Sequence, residues 1–356
     1  MSGAGEHAGK RVLITGGAGF IGANLADRLA NDGCEVVVLD ALARPGVDRN
    51  LEWLEGRHRS LRAIRADVRD ATAVTEAVRG ADAVFHLAAQ VAVTTSLDDP
   101  VDDFEVNLRG TLNVLEAARR SGRETPVIFA STNKVFGDLG DLAMALEGDA
   151  WKPADATVRA NGVGEDRPLD FHTPYGVSKG GADQYVLDYA RSYGLPTAVL
   201  RMSCIYGPRQ MGTEDQGWVA HFAIRALEGR PITLYGDGRQ VRDILDVADC
   251  VEAYVQCWRR IGAVSGQAFN LGGGPNNAVS LRQVIGFIEA ETGRRAELRL
   301  SDWRAGDQKW FVADARRAHR LLGLPRPRAW RDGVAGLIAW LAEERGLKTR
   351  ALEVAQ

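Results

Sequence analysis

The sequence predicts an α/β protein built around a doubly wound parallel sheet, with a smaller C-terminal α/β lobe. Apolar strand-length segments alternate with helix-length segments as far as residue 202, and such alternation is typical of a parallel sheet covered by helices. After residue 201 the pattern changes to shorter elements and loops. We therefore expect one domain over residues 1–200 and a second lobe over residues 201–356, from which some segments return to the first domain.

Each predicted strand is a short apolar run bounded by polar or glycine-containing segments. These runs cover residues 11–15, 35–39, 61–66, 83–86, 126–130 and 197–202. Apolar residues at helical spacing predict helices over residues 71–78, 100–120, 182–193, 280–291 and 330–344. The segment 138–172 shows little periodicity and is long for a loop, so we leave open whether it covers a ligand or lies on the surface.

Composition and charge exclude several classes of protein. The 356 residues are 45% hydrophobic and 26% charged, as in a globular chain large enough for one or two cores. A net charge of −3 gives no electrostatic reason to bind nucleic acid or an anionic membrane, and an apolar run of about 18 residues is absent. The four cysteines lack a Cys-x-x-Cys pair, so we expect free thiols in the reducing cytoplasm and no metal site.

A glycine-rich turn follows the first predicted strand. Gly16, Gly19 and Gly22 recur at three-residue spacing, and Phe20 and Ile21 begin the helix that follows. This spacing is a variant of the Rossmann fingerprint, in which glycines form a tight turn, admit a pyrophosphate and let the helix pack closely. The helix N-terminus adds N–H donors and the positive end of a dipole. The segment therefore predicts a dinucleotide site.

The next strand ends indicate NAD as the dinucleotide. Asp40 lies about 20 residues beyond the glycines, where a carboxylate bonds the ribose hydroxyls of NAD and repels the 2′-phosphate of NADP. The alternative for Asp40 is a strand-end turn residue. Further cofactor-contact candidates follow the third and fourth strands: Asp67, Val68, Leu87, Ala88 and Ala89. We interpret His86, at the end of an apolar strand, as a packed, hydrogen-bonded side chain.

Tyr175 and Lys179 lie four residues apart at the head of a predicted helix. That spacing places both side chains on one face, so the ammonium can lie beside the phenol. A fixed cation, joined by an oxidised nicotinamide, would stabilise the phenolate and lower the pKa of the phenol from about 10. Tyr175 could then take a proton from a carbinol. Considered alone, the pair could also be a surface lysine and a half-buried tyrosine.

In combination, these motifs resemble the extended short-chain dehydrogenase/reductase family of nucleotide-sugar epimerases and dehydratases. The motif residues occur in the order Gly16, Gly19, Gly22, Asp40, Asp67, Asn107, Thr132, Tyr175 and Lys179, across nearly the whole chain. The resemblance implies a Rossmann domain that binds NAD, with Asn107, Tyr175 and Lys179 among the cofactor contacts. It also implies that Thr132 bonds the reacting hydroxyl, Tyr175 exchanges its proton, and Lys179 holds the nicotinamide ribose.

Asn133 and Lys134 distinguish the chain from the dehydratases of that family. A similar dehydratase would have Asp-Glu at these positions, because eliminating water needs an additional acid and base. The string 131–138 is instead similar to that of the CDP-paratose 2-epimerases, also called CDP-tyvelose epimerases. Phe136, where Tyr is usual, and the segment 142–163 depart from that subfamily. An epimerase of another GDP- or UDP-hexose, at C2 or C4, stays open, as does an NAD-binding regulator without catalysis.

This resemblance implies inversion at C2 of a nucleotide-diphosphate sugar. The sugar would be oxidised transiently to a 2-keto form and reduced again on the opposite face. The C-terminal lobe would bind the substrate, with Arg209 and Arg242 on glycine-containing loops suited to a diphosphate. Asn133, Lys134 and His172 would position neighbouring hydroxyls.

Four more residues are substrate-binding candidates: Ser203, Gln216, Trp218 and Asp307. Related enzymes commonly dimerise through the helices that contain Asn107 and Tyr175. We therefore expect a homodimer or homotetramer.

Overall fold

The computed structural model describes residues 7–304 and 306–347. The strands are β1 (Arg11–Thr15), β2 (Glu35–Asp40), β3 (Arg62–Arg65), β4 (Ala83–His86), β5 (Val127–Thr132), β6 (Met144–Glu147), β7 (Ala150–Pro153), β8 (Thr197–Met202), β9 (Cys204–Tyr206), β10 (Ile232–Tyr235), β11 (Val241–Asp246), β12 (Gln267–Leu271), β13 (Ala278–Ser280), β14 (Leu298–Ser301) and β15 (Trp310–Phe311).

The α-helices are α1 (Phe20–Asn31), α2 (Val47–Arg57), α3 (Ala71–Val78), α4 (Val93–Asp98), α5 (Pro100–Phe104), α6 (Gly110–Arg120), α7 (Ala156–Asn161), α8 (Thr173–Tyr193), α9 (Trp218–Leu227), α10 (Val247–Arg259), α11 (Ile261–Val264), α12 (Leu281–Thr292), α13 (Arg316–Leu322) and α14 (Trp330–Glu344). A π-helical turn, Glu105–Arg109, joins α5 to α6, and 3-10 turns cover Asn133–Phe136 and Pro275–Asn277.

The centre of the molecule is a seven-stranded sheet in the order β3-β2-β1-β4-β5-β8-β12. Every neighbouring pair of these strands is parallel, which confirms the predicted fold class. The chain extends the sheet in one direction from β1 and then in the other from β4, and ligands bind at the carboxyl ends of the strands at such a reversal. The edge strand β12 comes from the second half of the chain, so the lobes are not separated at one point. The boundary at residue 200 stays a prediction, and residues 1–6 and 348–356 lie outside the described residues.

Apolar clusters cover both faces of this sheet. Val12 and Ile14 of β1 pack on one side, in a cluster that includes side chains of α1 and α10, while Leu13 packs on the other side with residues of α3, α6 and α8. Because successive side chains of a strand point to opposite faces, a strand covered on both sides is apolar throughout. A third cluster forms the core of the C-terminal lobe around α9, α12 and α14.

Two segments differ from the expected secondary structure. The helix expected over residues 100–120 is interrupted by the π-helical turn at Glu105–Arg109. The segment 138–172, which has little periodicity, contains the hairpin β6–β7 and the short helix α7. The hairpin is fixed to the C-terminal lobe, because the Trp151 backbone N–H donates to the Arg239 carbonyl at 3.0 Å and its indole N–H donates to Asp237 at 2.9 Å. These partners are distant in sequence, so periodicity gives no signal for them.

Three further observations concern the described part of the chain. No helix there has the length and hydrophobicity needed to cross a membrane. No group of three or more His, Cys, Asp or Glu side chains within those residues is arranged to hold a metal ion. The four cysteines are free thiols.

A buried ion pair fixes α8 against the sheet. The Arg201 guanidinium on β8 donates two hydrogen bonds, of 2.9 and 2.8 Å, to the Asp183 carboxylate on α8. Their side chains are 5% and 0% exposed. The Ser131 hydroxyl on β5 donates to the same carboxylate at 2.7 Å. One carboxylate thus joins α8 to two adjacent strands.

Removing one member of this pair should destabilise the fold strongly. Asp183→Ala leaves the Arg201 charge buried without its partner, and such losses cost about 3–5 kcal/mol. We expect that decrease in the free energy of unfolding, measured by denaturant titration. Glu76→Ala, which removes an exposed pair with Arg79, is the control and should change stability little. An equal effect of the two variants would contradict this role of Asp183.

Candidate active site

The glycine-rich turn between β1 and α1 is built for close backbone contact. Gly16 has a φ of +68°, which favours glycine, and a Cβ placed there would lie 2.7 Å from the Ala88 backbone nitrogen. A Cβ on Gly22 would lie 2.2 Å from the Gly16 carbonyl oxygen. The residue that precedes α1 is Gly19, and among the described residues no side chain caps this helix. Its first N–H groups are therefore suited to bind a pyrophosphate.

Asp40 holds this turn in place. Its carboxylate accepts hydrogen bonds from the Ala18 backbone N–H at 3.0 Å and from the Leu42 backbone N–H at 2.9 Å. Burial raises the pKa of Asp40, and these backbone donors oppose the rise. A cavity of about 460 Å³ adjoins the carboxyl ends of β2 and β3, lined by residues 42–46, Asp48 and Arg65. The position of Asp40 fits the predicted contact with a cofactor ribose.

The other predicted cofactor contacts lie around the same sheet edge. The Asp67 carboxylate is bound by the Arg69 side chain at 2.7 Å, which lowers the pKa of Asp67. Val68 is buried, and a Cβ on Gly110 would lie 2.7 Å from it. After β4, the backbone of Leu87 and Ala88 approaches the glycine turn at Gly16, and Ala89 follows in the chain. Their predicted roles toward NAD stay predictions.

The structure brings Thr132 and Tyr175 together. Thr132 ends β5, and its side chain lies near enough to the Tyr175 phenol, close to the start of α8, to lower the pKa of that phenol. Tyr175 is 9% exposed and Lys179 is 2% exposed, so both lie on the buried face of α8. The Thr132 hydroxyl also accepts from the Lys134 backbone N–H at 3.2 Å and lies 3.4 Å from the Asn133 amide oxygen.

Burial disfavours the charged forms of both Tyr175 and Lys179. Burial raises the pKa of the Tyr175 phenol to about 12, Thr132 opposes the rise and Asp103 adds to it. Burial also lowers the pKa of Lys179 to about 7, against the attraction of Asp183 and Asp103. The Lys179 ammonium lies over the Phe129 ring, 4.1 Å from its centroid. In the protein groups alone, desolvation therefore dominates the pKa of Tyr175, and the expected lowering by Lys179 together with an oxidised nicotinamide stays a prediction.

A buried polar network at the π-helical turn supports α8. The Asn107 side-chain N–H donates to Asp103 at 3.0 Å and to the Ser178 hydroxyl at 3.1 Å, and its carbonyl oxygen accepts from the Gln90 backbone N–H at 2.9 Å. The Ser178 hydroxyl also donates to Asp103. Because π-helical turns often occur at functional sites, this distortion marks where α8 is held. The predicted contact of Asn107 with the cofactor stays a prediction.

His86 is packed and hydrogen-bonded, as interpreted from its place on β4. Its Nδ1 lies 2.7 Å from the Thr15 hydroxyl, and its Nε2 lies 3.0 Å from the Thr111 hydroxyl. The Thr111 hydroxyl donates to the Asn107 carbonyl at 2.6 Å, so Nε2 carries the proton and Nδ1 accepts. Burial, joined by the Lys179 charge, lowers the pKa of His86 to about 3. His86 is therefore neutral and connects the end of β1 to the π-helical turn.

Three predicted substrate residues form a second charged cluster. The Arg242 guanidinium donates to the Asp307 carboxylate at 2.6 Å, and the Lys134 ammonium lies 3.8 Å from that carboxylate. Lys134 also donates to the Gly306 carbonyl at 2.9 Å. Burial lowers the pKa of Lys134, while Arg242 and Lys134 hold the pKa of Asp307 below its usual value against the effect of burial. Two cations share one carboxylate, so the cluster is suited to an anion.

Ser203 and Trp218 lie beside this cluster. The Trp218 indole N–H lies 3.4 Å from the Cys204 sulfur, and the charge of Arg242 acts on that thiol, whose pKa burial raises. The Ser203 hydroxyl donates to the buried Asp243 carboxylate at 2.5 Å. In the described structure Ser203 therefore stabilises the contact of β9 with β11, and its predicted contact with substrate stays a prediction.

His172 and Gln216 lie in more exposed positions. His172 precedes α8, is 40% exposed, and its Nε2 and Nδ1 lie 3.0 Å and 3.7 Å from the carboxylates of Asp170 and Asp138. Gln216 is exposed in a turn, where its backbone N–H donates to the Thr213 carbonyl at 3.3 Å. Their predicted roles toward substrate stay predictions.

The Arg209 side chain packs between two tryptophan rings. Its guanidinium carbon lies 4.2 Å from the centroid of the Trp53 ring and 5.5 Å from that of Trp340, between α2 and α14. Glu344 also acts on this guanidinium. Two indole faces thus hold the Arg209 guanidinium in the described structure, and its predicted contact with a diphosphate stays a prediction. No sequence signal distinguishes this arrangement from an arginine on a ligand loop.

Sequence reasoning missed several residues around the site. Asp103 and Ser178 hold the start of α8, and Arg304 stacks over Tyr235 at 3.8 Å while it contacts Asp215 at 3.2 Å. Asp103 lies four residues before Asn107, a spacing that puts both on one helical face. That spacing is a signal that could have identified it, whereas Arg304 had none.

Comparison with known proteins finds similarity to NAD-dependent epimerases of nucleotide sugars. A family model described as the NAD dependent epimerase/dehydratase family matches residues 12–272. The CDP-paratose 2-epimerase of Salmonella typhi is 40% identical over 337 residues, which cover 93% of this chain and 98% of that protein. The UDP-glucose 4-epimerase of Mycolicibacterium smegmatis is 34% identical, over 91% of this chain and 96% of that protein. The crystal structure of the Thermus thermophilus UDP-glucose 4-epimerase with NAD has a TM-score of 0.76 at 33% identity, over 93% of this chain and 98% of that one.

The buried state of Lys179 predicts a pH dependence of stability. Its pKa falls from 10.5 to about 7 in the folded protein, so between these values the unfolded chain binds more protons than the folded one. This group therefore makes the folded state more stable as pH rises from about 7 to 10.5. We expect the free energy of unfolding of the wild type to rise over that range relative to Lys179→Met, measured by denaturant titration at several pH values. A difference that is constant, or that changes in the other direction, would show that Lys179 is not buried in this way.

Proposed function

Since this chain belongs to the NAD dependent epimerase/dehydratase family, we propose that it is an NAD-dependent 2-epimerase of a CDP-hexose of the CDP-paratose type. The observation that carries the proposal is that the side chains of Thr132 and Tyr175 meet at the carboxyl end of β5, with Lys179 on the same buried face of α8. The similarity to the CDP-paratose 2-epimerase of Salmonella typhi supports the choice of substrate.

The residues around the glycine turn fit NAD. The close approach at Gly16 and Gly22 and the first turn of α1 suit a pyrophosphate, and Asp40 lies at the strand end suited to a ribose. NAD, when bound, supplies reversible oxidation of a sugar carbon. Lys179 and Asn107 are the residues that would lie toward the nicotinamide end.

The chain's own residues would move the hydroxyl proton. Tyr175 takes the proton of the sugar hydroxyl and later returns it, while Thr132 bonds the same oxygen and keeps it within reach. The pKa of Tyr175, at about 12 in the protein alone, must fall for this role. Additional positive charge at the site would lower it, since opposite charge favours the phenolate.

Asn133 and Lys134 favour epimerisation over elimination. They occupy the two positions after Thr132, so the chain lacks an Asp-Glu pair there to act as an additional acid and base. Lys134 is instead bound to the Gly306 carbonyl and to Asp307. With Arg242, it offers positive charge to a diphosphate, which would stay bound while the sugar ring turns over.

We also propose that the protein is a homodimer. Apolar side chains on α4, α5 and α8 are exposed to solvent, from 44% at Phe104 to 69% at Val101, and the others are Leu97, Val177 and Tyr185. Such a set on neighbouring helices is typical of an interaction surface.

The free thiols of the four cysteines support a reducing compartment such as the cytoplasm.

An NMR assay of substrate specificity tests the proposed function. The purified protein with NAD is incubated with CDP-, GDP- and UDP-hexoses, and the stereochemistry of each product is determined. We expect inversion at C2 of a CDP-hexose. Inversion at C4 of a UDP-sugar would show that the chain shares the activity named for its UDP-glucose 4-epimerase relatives instead, and bound NAD without any sugar conversion would favour the regulator.

Two tyrosine variants link that activity to the site. Tyr175→Phe removes the acid–base group and should lower turnover about 10²- to 10⁴-fold. Tyr193→Phe, at an exposed position on the same helix, is the control and should leave turnover unchanged. Unaltered turnover in Tyr175→Phe would exclude Tyr175 from the reaction.

A further inference from the structure

Gln308 connects the C-terminal lobe to the candidate active site. Its side chain is fully buried. Its amide N–H donates to the Gly137 carbonyl oxygen at 2.6 Å, and its amide oxygen accepts from the Asn133 side-chain N–H at 3.3 Å. The Asn133 amide oxygen in turn lies 3.4 Å from the Thr132 hydroxyl. A chain of hydrogen bonds thus runs from Gly137 through two amides to Thr132.

The Gly137 carbonyl fixes the direction of the whole chain. A backbone carbonyl can only accept, so the amide of Gln308 must present its N–H groups to Gly137 and its oxygen to Asn133. Asn133 must then present its N–H groups to Gln308 and its oxygen to Thr132. Without Gln308, the amide of Asn133 could rotate by 180° and offer an N–H to Thr132 instead, because the two amide ends are nearly equal in shape.

The direction of the Asn133 amide decides where the Thr132 proton goes. The Thr132 hydroxyl has one proton, and the Lys134 backbone N–H already occupies one of its acceptor positions. With the Asn133 oxygen beside it, this proton has two competing acceptors, Asn133 and the Tyr175 phenolate. With an N–H of Asn133 in that place, only the phenolate would remain as acceptor, and the phenolate would be stabilised.

We propose that Gln308 is a positioning residue that fixes the Asn133 amide and thereby controls the hydrogen bond that Thr132 can donate to Tyr175. The inference rests on the proposed function in one respect, namely that Tyr175 is the group that exchanges the proton. Gln308 does not touch the reacting hydroxyl in this account. It acts through Asn133. The ionisation of Tyr175 then depends on the position of the loop that contains both Asp307 and Gln308.

Within the described residues, the Gln308 side chain hydrogen-bonds to Asn133 and Gly137 and not to the charged groups around Tyr175. Asp103 acts on the Tyr175 phenol from α5, Lys179 lies four residues further along α8, and Lys134 lies in the adjoining 3-10 turn. Asp183 and Arg201 neutralise each other between α8 and β8. A change in the titration of Tyr175 after substitution of Gln308 can therefore be assigned to the hydrogen-bond chain.

The test is the titration of Tyr175 itself, which requires no sugar substrate. Tyrosinate absorbance is followed against pH in the NAD-loaded protein, and subtraction of the matching Tyr175→Phe variant isolates this phenol. Gln308→Met keeps the length of the side chain and removes both hydrogen bonds. We expect the pKa of Tyr175 to fall by roughly one to two units, the size expected for one hydrogen bond to a charged group.

Two comparisons separate this role from a general loss of structure. Gln308→Glu keeps an oxygen that can accept from Asn133, so the pKa of Tyr175 should not fall in that variant. In an Asn133→Leu background, Gln308→Met should have no further effect, because there is no amide left to orient. An unchanged titration in Gln308→Met, or an additional effect in the Asn133→Leu background, would overturn the proposal.

These outcomes are independent of the proposed substrate. If no CDP-hexose is converted but the titration shifts as expected, the proposed function fails and the positioning role stands. If the sugar is inverted at C2 and the titration of Gln308→Met matches the wild type, the positioning role fails alone. Thermal unfolding of each variant shows that the proteins compared are folded.

Discussion

The contact between Thr132 at the end of β5 and Tyr175 at the start of α8 is the constraint on which the site depends. It requires the carboxyl end of β5 to lie beside the first turn of α8, the helix that covers this strand. The Asp183 carboxylate joins α8 to β5 and β8 through Ser131 and Arg201. The hydrogen bond between Ser178 and Asp103 joins the first turns of α8 to α5. Buried polar groups in such networks are costly to leave unpaired, so their partners strongly restrict how α8 can be placed.

Burial determines the electrostatic state of this contact. It makes the phenol of Tyr175 harder to ionise and the ammonium of Lys179 easier to deprotonate. Both shifts remove charge from a site with little access to water. In the protein alone the Tyr175 phenol is therefore neutral. Forming the phenolate requires additional positive charge nearby or the loss of a hydrogen bond that competes for the Thr132 proton. Asn133 provides such a competing bond. Because Gln308 orients the Asn133 amide, it would affect the ionisation of Tyr175 without touching Tyr175 or the substrate.

Local patterns in the sequence were enough to predict the fold, whereas the roles of Thr132 and Tyr175 follow from the family resemblance. Strands buried on both faces are continuous apolar runs, and the glycine turn, Asp40 and the four-residue spacing of Tyr175 and Lys179 are fixed by local geometry. The missing parts depend on residues far apart in the chain. Arg209 is held by indoles 156 and 131 positions away, and Gln308 reaches Asn133 across 175 positions. The pKa shifts depend on burial, which spacing alone does not reveal.

The most direct test of the account follows the hydrogen at the inverted carbon. A CDP-hexose that carries deuterium at C2 is converted in ordinary water with the NAD-loaded protein, and the product is analysed by NMR. If the carbon is oxidised and reduced again within one site, the C2 epimer keeps its deuterium at C2. Replacement of that deuterium by hydrogen from water would contradict the account, because it would show that C2 loses a proton to solvent instead.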